Sequence, residues 1–179
     1  PHMSTSRYLK LEFLQAFPKG NWDFRKISKN FNLELSWLQA CPDGDWDFEY
    51  LSSLYKINID WVLAFPNSPW NFDKIGKTNE LTYNWVELLP QIPWNFQIIT
   101  SRIVDPIKWI KHFPEADWDY QALLHHNQMD LDLLKIIPFG KIDFDVLSES
   151  SWFKLEWLDY YPDAPWTVIK LSLSSNIAL

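Results

Sequence analysis

A chain of 179 residues that is 47% apolar, with twelve tryptophans, is too rich in core-forming side chains to stay disordered despite its formal charge of −7. Its longest apolar runs, such as residues 61–66, fall far short of the roughly 18 residues that a membrane span needs. The single cysteine, Cys41, excludes a disulfide framework and reads as a small buried hydrophobe. Pro1-His2-Met3 reads as a cloning scar at or before a start codon, and no charged-then-apolar leader follows it, so residues 4–179 are expected to stay in the cytoplasm.

Seven prolines stand 24 residues apart: Pro18, Pro42, Pro66, Pro90, Pro114, Pro138 and Pro162. Each anchors one repeat, numbered one to seven. Four residues after the prolines come Trp22, Trp46, Trp70, Trp94, Trp118, Ile142 and Trp166; five residues before them come Phe13, Trp37, Trp61, Trp85, Trp109, Leu133 and Trp157. Eleven of the twelve tryptophans therefore occupy two phases of one period. Such a period marks an array whose units bury their apolar faces against neighbours, so the chain is expected to be one array without an internal domain boundary.

Within each repeat the pattern predicts two short helices. In repeat three the first runs from Trp61 to about Phe65, with Asp60 as its cap; Ser36 and Asn84 hold the equivalent place, followed three residues on by Gln39 and Glu87 as in a capping box. Pro66 ends it, because proline cannot continue the hydrogen-bond ladder. The second helix starts after Asn71, whose counterparts are Asp23, Asp47, Asn95, Asp119 and Asp143, and its apolar positions lie three apart, as in Phe72 with Ile75 and Phe48 with Leu51. Helices of about two turns are marginal alone, so packing between repeats must hold them. The alternation Leu33-Glu34-Leu35 also fits a strand, as in a leucine-rich-repeat horseshoe. The asparagine ladder of that pattern is missing, and the helical reading is preferred, with Leu35 and Ile59 as staple residues before a cap. The fold expected is all-α, an α-solenoid of seven helix-turn-helix repeats.

Charge is uneven along the chain. Residues 1–30 balance at +4 and the remaining 149 at −11. In a solenoid this becomes a basic end and an acidic body, which would orient a partner or favour head-to-tail contact, or be plain solvated surface. The acidic body argues against nucleic acid, whose binding rests on clustered Lys and Arg.

Residues that invite chemistry read as structure. Asp23, Asp47, Asp119 and Asp143 share their slot with Asn71, Asn95 and Thr167, which cap helices but perform no acid–base work. His112, His125 and His126 lack companions at metal-ligand spacing and read as surface; Gly20, Gly44 and Gly140 read as turn residues. No catalytic, cofactor or metal site is expected. The tryptophans read as core, the position asking for bulk. Trp152 stands off both phases: it either plugs the interface that Leu133 and Ile142 weaken or serves as an exposed anchor.

The phrases Pro42-Asp43-Gly44-Asp45-Trp46-Asp47-Phe48, Pro66-Asn67-Ser68-Pro69-Trp70-Asn71-Phe72 and Asp60-Trp61-Val62 resemble the 24-residue tryptophan-rich repeats of giant DNA viruses related to mimivirus, over residues 9–173. This chain lacks their asparagine-proline start, has Trp-Asp-Phe for Trp-Asp-Trp, and loses tryptophan at Leu133 and Ile142. The resemblance carries no catalytic motif and implies a viral protein meeting a host protein in the host cytoplasm.

The functional expectation is a non-enzymatic protein-binding scaffold. Its contact stripe is expected at variable positions: Arg25, Lys26, Glu49, Tyr50, Asp73, Lys74, Gln97, Gln121 and Asp145, with Trp152 beside them. A structural protein that assembles end to end is the alternative. A nucleic-acid-binding or enzymatic module would need a basic groove or a polar pocket.

Overall fold

The computed structural model describes residues 8–126 and 129–167. Pro1 to Met3, Arg7, and Val168 with the second helix expected of repeat seven lie outside the described residues. Among the described residues there are thirteen α-helices and no strand. Contacts gather into two compact bodies, residues 1–94 and 95–179, with the division inside repeat four, between Trp94 and Asn95.

In the first body α1 (Leu11–Ala16), α3 (Leu35–Ala40), α5 (Ile59–Ala64) and α7 (Tyr83–Leu88) are the first helices of their repeats; α2 (Phe24–Ile27), α4 (Phe48–Leu51) and α6 (Phe72–Ile75) are the second helices. The second body continues with α8 (Phe96–Thr100), α9 (Pro106–His112), α10 (Tyr120–Leu124), α11 (Leu131–Ile136), α12 (Phe144–Glu149) and α13 (Glu156–Tyr160), plus a 3-10 turn at Phe139–Lys141. Every first helix stops two residues before its proline, so the predicted stop holds.

The predicted start of the first helix is corrected by two residues. Glu34, Asn58 and Thr82 are the extended residues before α3, α5 and α7, with φ of −132°, −131° and −121°. Ser36, Asp60 and Asn84 are thus already inside the first turn, and no capping box forms with Gln39 or Glu87. The Asn58 side chain accepts from the Asp60 N–H instead, while Glu34 and Thr82 make no side-chain cap bond. Leu35 and Ile59 are not staples but the first helical residues. The strand-like alternation comes from this geometry: Leu33 and Ile57 are buried, and the extended residue after each turns outward.

The second-helix caps hold as predicted. Asp23, Asp47, Asn71, Asn95, Asp119 and Asp143 each accept the backbone N–H three residues on, at 2.9–3.2 Å. That amides and carboxylates serve alike fits a capping role, which needs an acceptor oxygen rather than a charge.

Burial repeats with the period. The tryptophans before the proline, Trp37, Trp61, Trp85, Trp109 and Trp157, are buried, and so is the residue after each of the first four: Leu38, Val62, Val86 and Ile110. Ile27, Leu51 and Ile75 in the first body, and Ile99, Leu123 and Leu147 in the second, close the second helices against the core. In the first body helix α1 packs on α3, and in the second α9 packs on α11, each a pair of first helices from consecutive repeats.

The tryptophans after the proline do more than supply bulk, which corrects the sequence reading. Trp22, Trp46, Trp70 and Trp94 donate their indole N–H to the carbonyls of Phe17, Cys41, Phe65 and Leu89 at 2.8–3.1 Å. Trp118 and Trp166 do the same to Phe113 and Tyr161 at 2.9 and 2.8 Å. Those carbonyls belong to the residue that ends the first helix, where backbone acceptors lack intrahelical partners. Five of these indoles also meet the aromatic of the preceding repeat: Phe24 with Trp46 at 4.8 Å, Phe48 with Trp70 at 4.8 Å, Phe72 with Trp94 at 5.3 Å; and, in the second body, Phe96 with Trp118 at 4.9 Å and Phe144 with Trp166 at 4.8 Å.

Buried hydroxyls add a second tie between repeats. Ser52 donates to the Phe48 carbonyl at 2.7 Å and accepts the Asn71 N–H, nineteen residues away, at 2.8 Å. Ser28 links Phe24 to Asp47 in the same way, Thr100 links Phe96 to Asp119, and Ser148 links Phe144 to Thr167. One hydroxyl thereby caps the end of a second helix and fixes the cap residue of the next.

Candidate functional site

The variable stripe lies on the first turn of each second helix. In the first body Arg25, Lys26, Glu49 and Asp73 are exposed, and Tyr50 and Lys74 half-buried. The cap residue just before them fixes the start of the helix, and the buried residue just after them, Ile27, Leu51 or Ile75, leaves them on the outer face.

The geometry brings these residues together in pairs. Arg25 Nε meets Asp45 Oδ2 of the next repeat at 2.9 Å, Lys74 Nζ meets Glu49 Oε1 of the preceding repeat at 2.7 Å, and Lys26 Nζ meets Asp23 Oδ2 at 2.9 Å. Glu49 also accepts from the Asn71 amide at 2.9 Å, and Lys29 Nζ lies 5.7 Å from the centre of the Tyr50 ring. The Arg25 guanidinium holds the Asp45 carboxyl below its ordinary range, and Asp45 raises Arg25 in return. Lys74, with Asn71, lowers Glu49; hydrogen bonds from Lys26 lower Asp23. Exposed pairs of this kind add little to stability. They do fix where long side chains point.

In the second body Gln97, Gln121 and Asp145 are exposed. Gln97 donates to the Asp117 carbonyl at 3.1 Å, and Asp145 accepts from the Thr167 hydroxyl. The next-repeat partners Asp45, Asp117 and Thr167 did not stand out in the sequence, although their spacing of 20 or 22 residues, slightly short of one period, was a usable signal.

Trp152 is 36% exposed, while its neighbour Phe153 is buried against Trp157 at 5.7 Å and Trp166 at 5.6 Å. Phe153 holds the buried phase that Leu33 and Ile57 hold in their repeats.

A row of exposed aromatics was not foreseen. Phe31 and Tyr55, 24 residues apart in the connectors after the second helices, are 74% and 85% exposed. The connectors touch, since Lys56 Nζ donates to the Phe31 carbonyl at 3.2 Å and to that of Leu33.

Other groups take structural places. Cys41 is buried, and burial pushes its thiol up. His112 and His125 are exposed; His126 Nε2 lies 3.2 Å from the Ile103 carbonyl. The described glycines have no positive φ, so Gly20 and Gly44 do not serve the turn through conformational freedom. Among the described residues no group of three or more His, Cys, Asp or Glu is placed to hold a metal ion, and no helix is long and apolar enough to cross a membrane. Compared with known protein families, curated proteins and solved structures, the chain matches none.

Proposed function

We propose that this chain is a non-catalytic protein-binding scaffold, an α-solenoid of seven helix-turn-helix repeats that offers its variable stripe to a protein partner. The observation that carries this reading is a division of labour within the repeat. Constant positions tie one repeat to the next through rings and buried hydroxyls, and the indole N–H groups brace each repeat internally. The varying positions Arg25, Glu49, Asp73, Gln97, Gln121 and Asp145 all stay exposed. Solenoids use such outward variable positions for recognition. The resemblance to giant-virus repeats supports a viral protein engaging a host factor in the host cytoplasm.

The test compares capture from an extract of the prospective host cell by the wild-type chain and by a stripe variant, Arg25→Ala with Glu49→Ala and Gln121→Ala. A partner retained by the first and lost by the second supports the reading; capture that ignores the substitutions removes the stripe from it. The solenoid itself is tested by small-angle scattering, since a compact globule of this length has a radius of gyration of about 16 Å. A solenoid exceeds that value, and a measured radius of about 16 Å overturns the arrangement.

One observation favours assembly as a second reading. Phe13 and Phe17 of repeat one are exposed, whereas their counterparts Trp37 and Cys41 are buried against neighbouring repeats. The face they form has the chemistry of a repeat-to-repeat interface. Concentration-dependent sedimentation that vanishes in Phe13→Ser with Phe17→Ser would support end-to-end contact; a monomer at every concentration excludes it.

A further inference from the structure

Repeat one keeps a ring slot that later repeats fill. In repeats three, five and seven the ring that ends the first helix and the indole after the proline form two walls, and the phenylalanine of the preceding repeat meets both. Phe48 lies 6.2 Å from Phe65 and 4.8 Å from Trp70. In the second body Phe96 meets Phe113 at 5.6 Å and Trp118 at 4.9 Å, and Phe144 meets Tyr161 at 5.7 Å and Trp166 at 4.8 Å. Repeat one has both walls, Phe17 and Trp22. Its indole is braced as elsewhere: Nε1 donates to the Phe17 carbonyl at 2.8 Å, and a Cβ added at Gly20 would meet that nitrogen at 2.6 Å, as one at Gly44 would meet the Trp46 nitrogen at 2.8 Å. The ring that fills the slot is what differs, since residues 1–7 contain no Phe, Tyr or Trp. Phe17 is 63% exposed where Phe65, Phe113 and Tyr161 are half-buried, and Trp22 is half-buried where Trp70 and Trp118 are buried.

We propose that this slot binds a partner protein through a short helical turn of the form Asp-Phe-x-x-Leu, its phenylalanine seated against Phe17 and Trp22. The array itself shows what fits. Each phenylalanine that fills the slot elsewhere opens a helix capped by Asp or Asn and has Leu or Ile three residues on: Asp47-Phe48 with Leu51, Asn95-Phe96 with Ile99, Asp143-Phe144 with Leu147. Charge favours aspartate over asparagine as the partner's cap, because residues 8–30 hold Lys10, Lys19, Arg25, Lys26 and Lys29 against Glu12 and Asp23. Arg25 and Lys26 are engaged with Asp45 and Asp23, whereas Lys19 is exposed two residues from Phe17, at the edge of the slot. A second copy of the chain fits less well: its phenylalanines of this phase are seated in their own array, and repeat seven carries Val168 there. This inference rests on the protein-binding reading and deepens it by naming the motif that the partner presents.

The experiment titrates the isotope-labelled full chain with the N-acetylated, C-amidated peptide Asp-Phe-Glu-Tyr-Leu-Ser-Ser-Leu, the sequence of residues 47–54, and with its counterpart carrying alanine for phenylalanine. Backbone amides and indole N–H groups are followed. Saturable shifts centred on the Trp22 indole and residues 17–22 are expected with the phenylalanine peptide only. Trp22→Ala is expected to abolish binding; Phe17→Ser, a change at an exposed position, keeps the test open if Trp22→Ala fails to fold, and is expected to weaken binding about tenfold. Lys19→Glu is expected to weaken it about threefold at low salt. No saturable shift at millimolar peptide, equal response to the alanine peptide, shifts centred elsewhere, or unchanged binding by folded Phe17→Ser each overturn the site. Unchanged binding by Lys19→Glu overturns its preference for an acidic partner, and Trp22 shifts that follow the concentration of the chain alone make a second copy the occupant. If the site fails while stripe substitutions still abolish partner capture, the scaffold reading stands without this slot; if both fail, the scaffold reading falls too.

Discussion

At the scale of single residues, the two tryptophans of a repeat look interchangeable in sequence but meet different demands. Trp46 is 4% exposed and its indole N–H is bonded to the Cys41 carbonyl, whereas Trp157 is 0% exposed and its N–H has no partner among the described residues. Replacing either by Phe removes similar ring volume. Only Trp46→Phe also removes a hydrogen bond, leaving the Cys41 carbonyl with the Gly44 N–H alone, so it is expected to cost about 1 kcal/mol more than Trp157→Phe, read from urea denaturation midpoints. Equal losses would mean that bulk is all either position needs. Substitution in both phases, by Leu133 in one and Ile142 in the other, is why the sequence suggested bulk alone. A hydrogen bond reaching five residues back leaves no mark in an apolar pattern.

At the scale of elements, the second helices were legible and the first helices less so. The slot shared by Asp47, Asn71 and their counterparts demands a short side-chain acceptor, and that demand selects residue types visible in sequence. Asp47→Asn is therefore expected to shift stability by a few tenths of a kcal/mol and Asp47→Ala to cost about 1 kcal/mol. Thermal melts giving equal losses for both would show that the charge matters. At the first helices the start is set largely by packing, since Glu34 and Thr82 make no side-chain cap, so Ser36, Asp60 and Asn84 misled. The hydroxyl ties were invisible for another reason: a serine at a helix end reads as solvated, yet Ser52 is fully buried. Ser52→Ala leaves the Asn71 N–H without its acceptor and is expected to cost about 1–3 kcal/mol. Ser52→Thr should be nearly neutral, because Thr100 fills the same place in the second body. If both Ser52 variants melt with the wild type, the tie is incidental.

At the scale of the whole molecule, the sequence gradient from basic to acidic is tempered by local pairing, and that pairing predicts the response to acid. Asp23, Asp45 and Glu49 are all held below their ordinary values by cations of the stripe. A carboxylate lowered by folding contributes stability above its unfolded pKa and loses it as pH falls through the folded value, because the unfolded chain then binds more protons. On the alkaline side burial raises Cys41, Tyr120 and Tyr161, so these groups favour folding until pH climbs past the thiol and phenol range, where the unfolded chain releases protons first. Melting temperature should therefore be level between about pH 5 and 8 and decline below about pH 4. The variant Asp45→Asn with Glu49→Gln lacks two of the three acid-sensitive groups. Its melting curve should start slightly below the wild type at neutral pH and converge with it in acid, and 1 M salt should narrow the neutral gap by screening the exposed pairs. A gap that stays constant from neutral to acid pH would mean that the substitutions act through packing, and the stripe would then have no part in the electrostatics of the molecule.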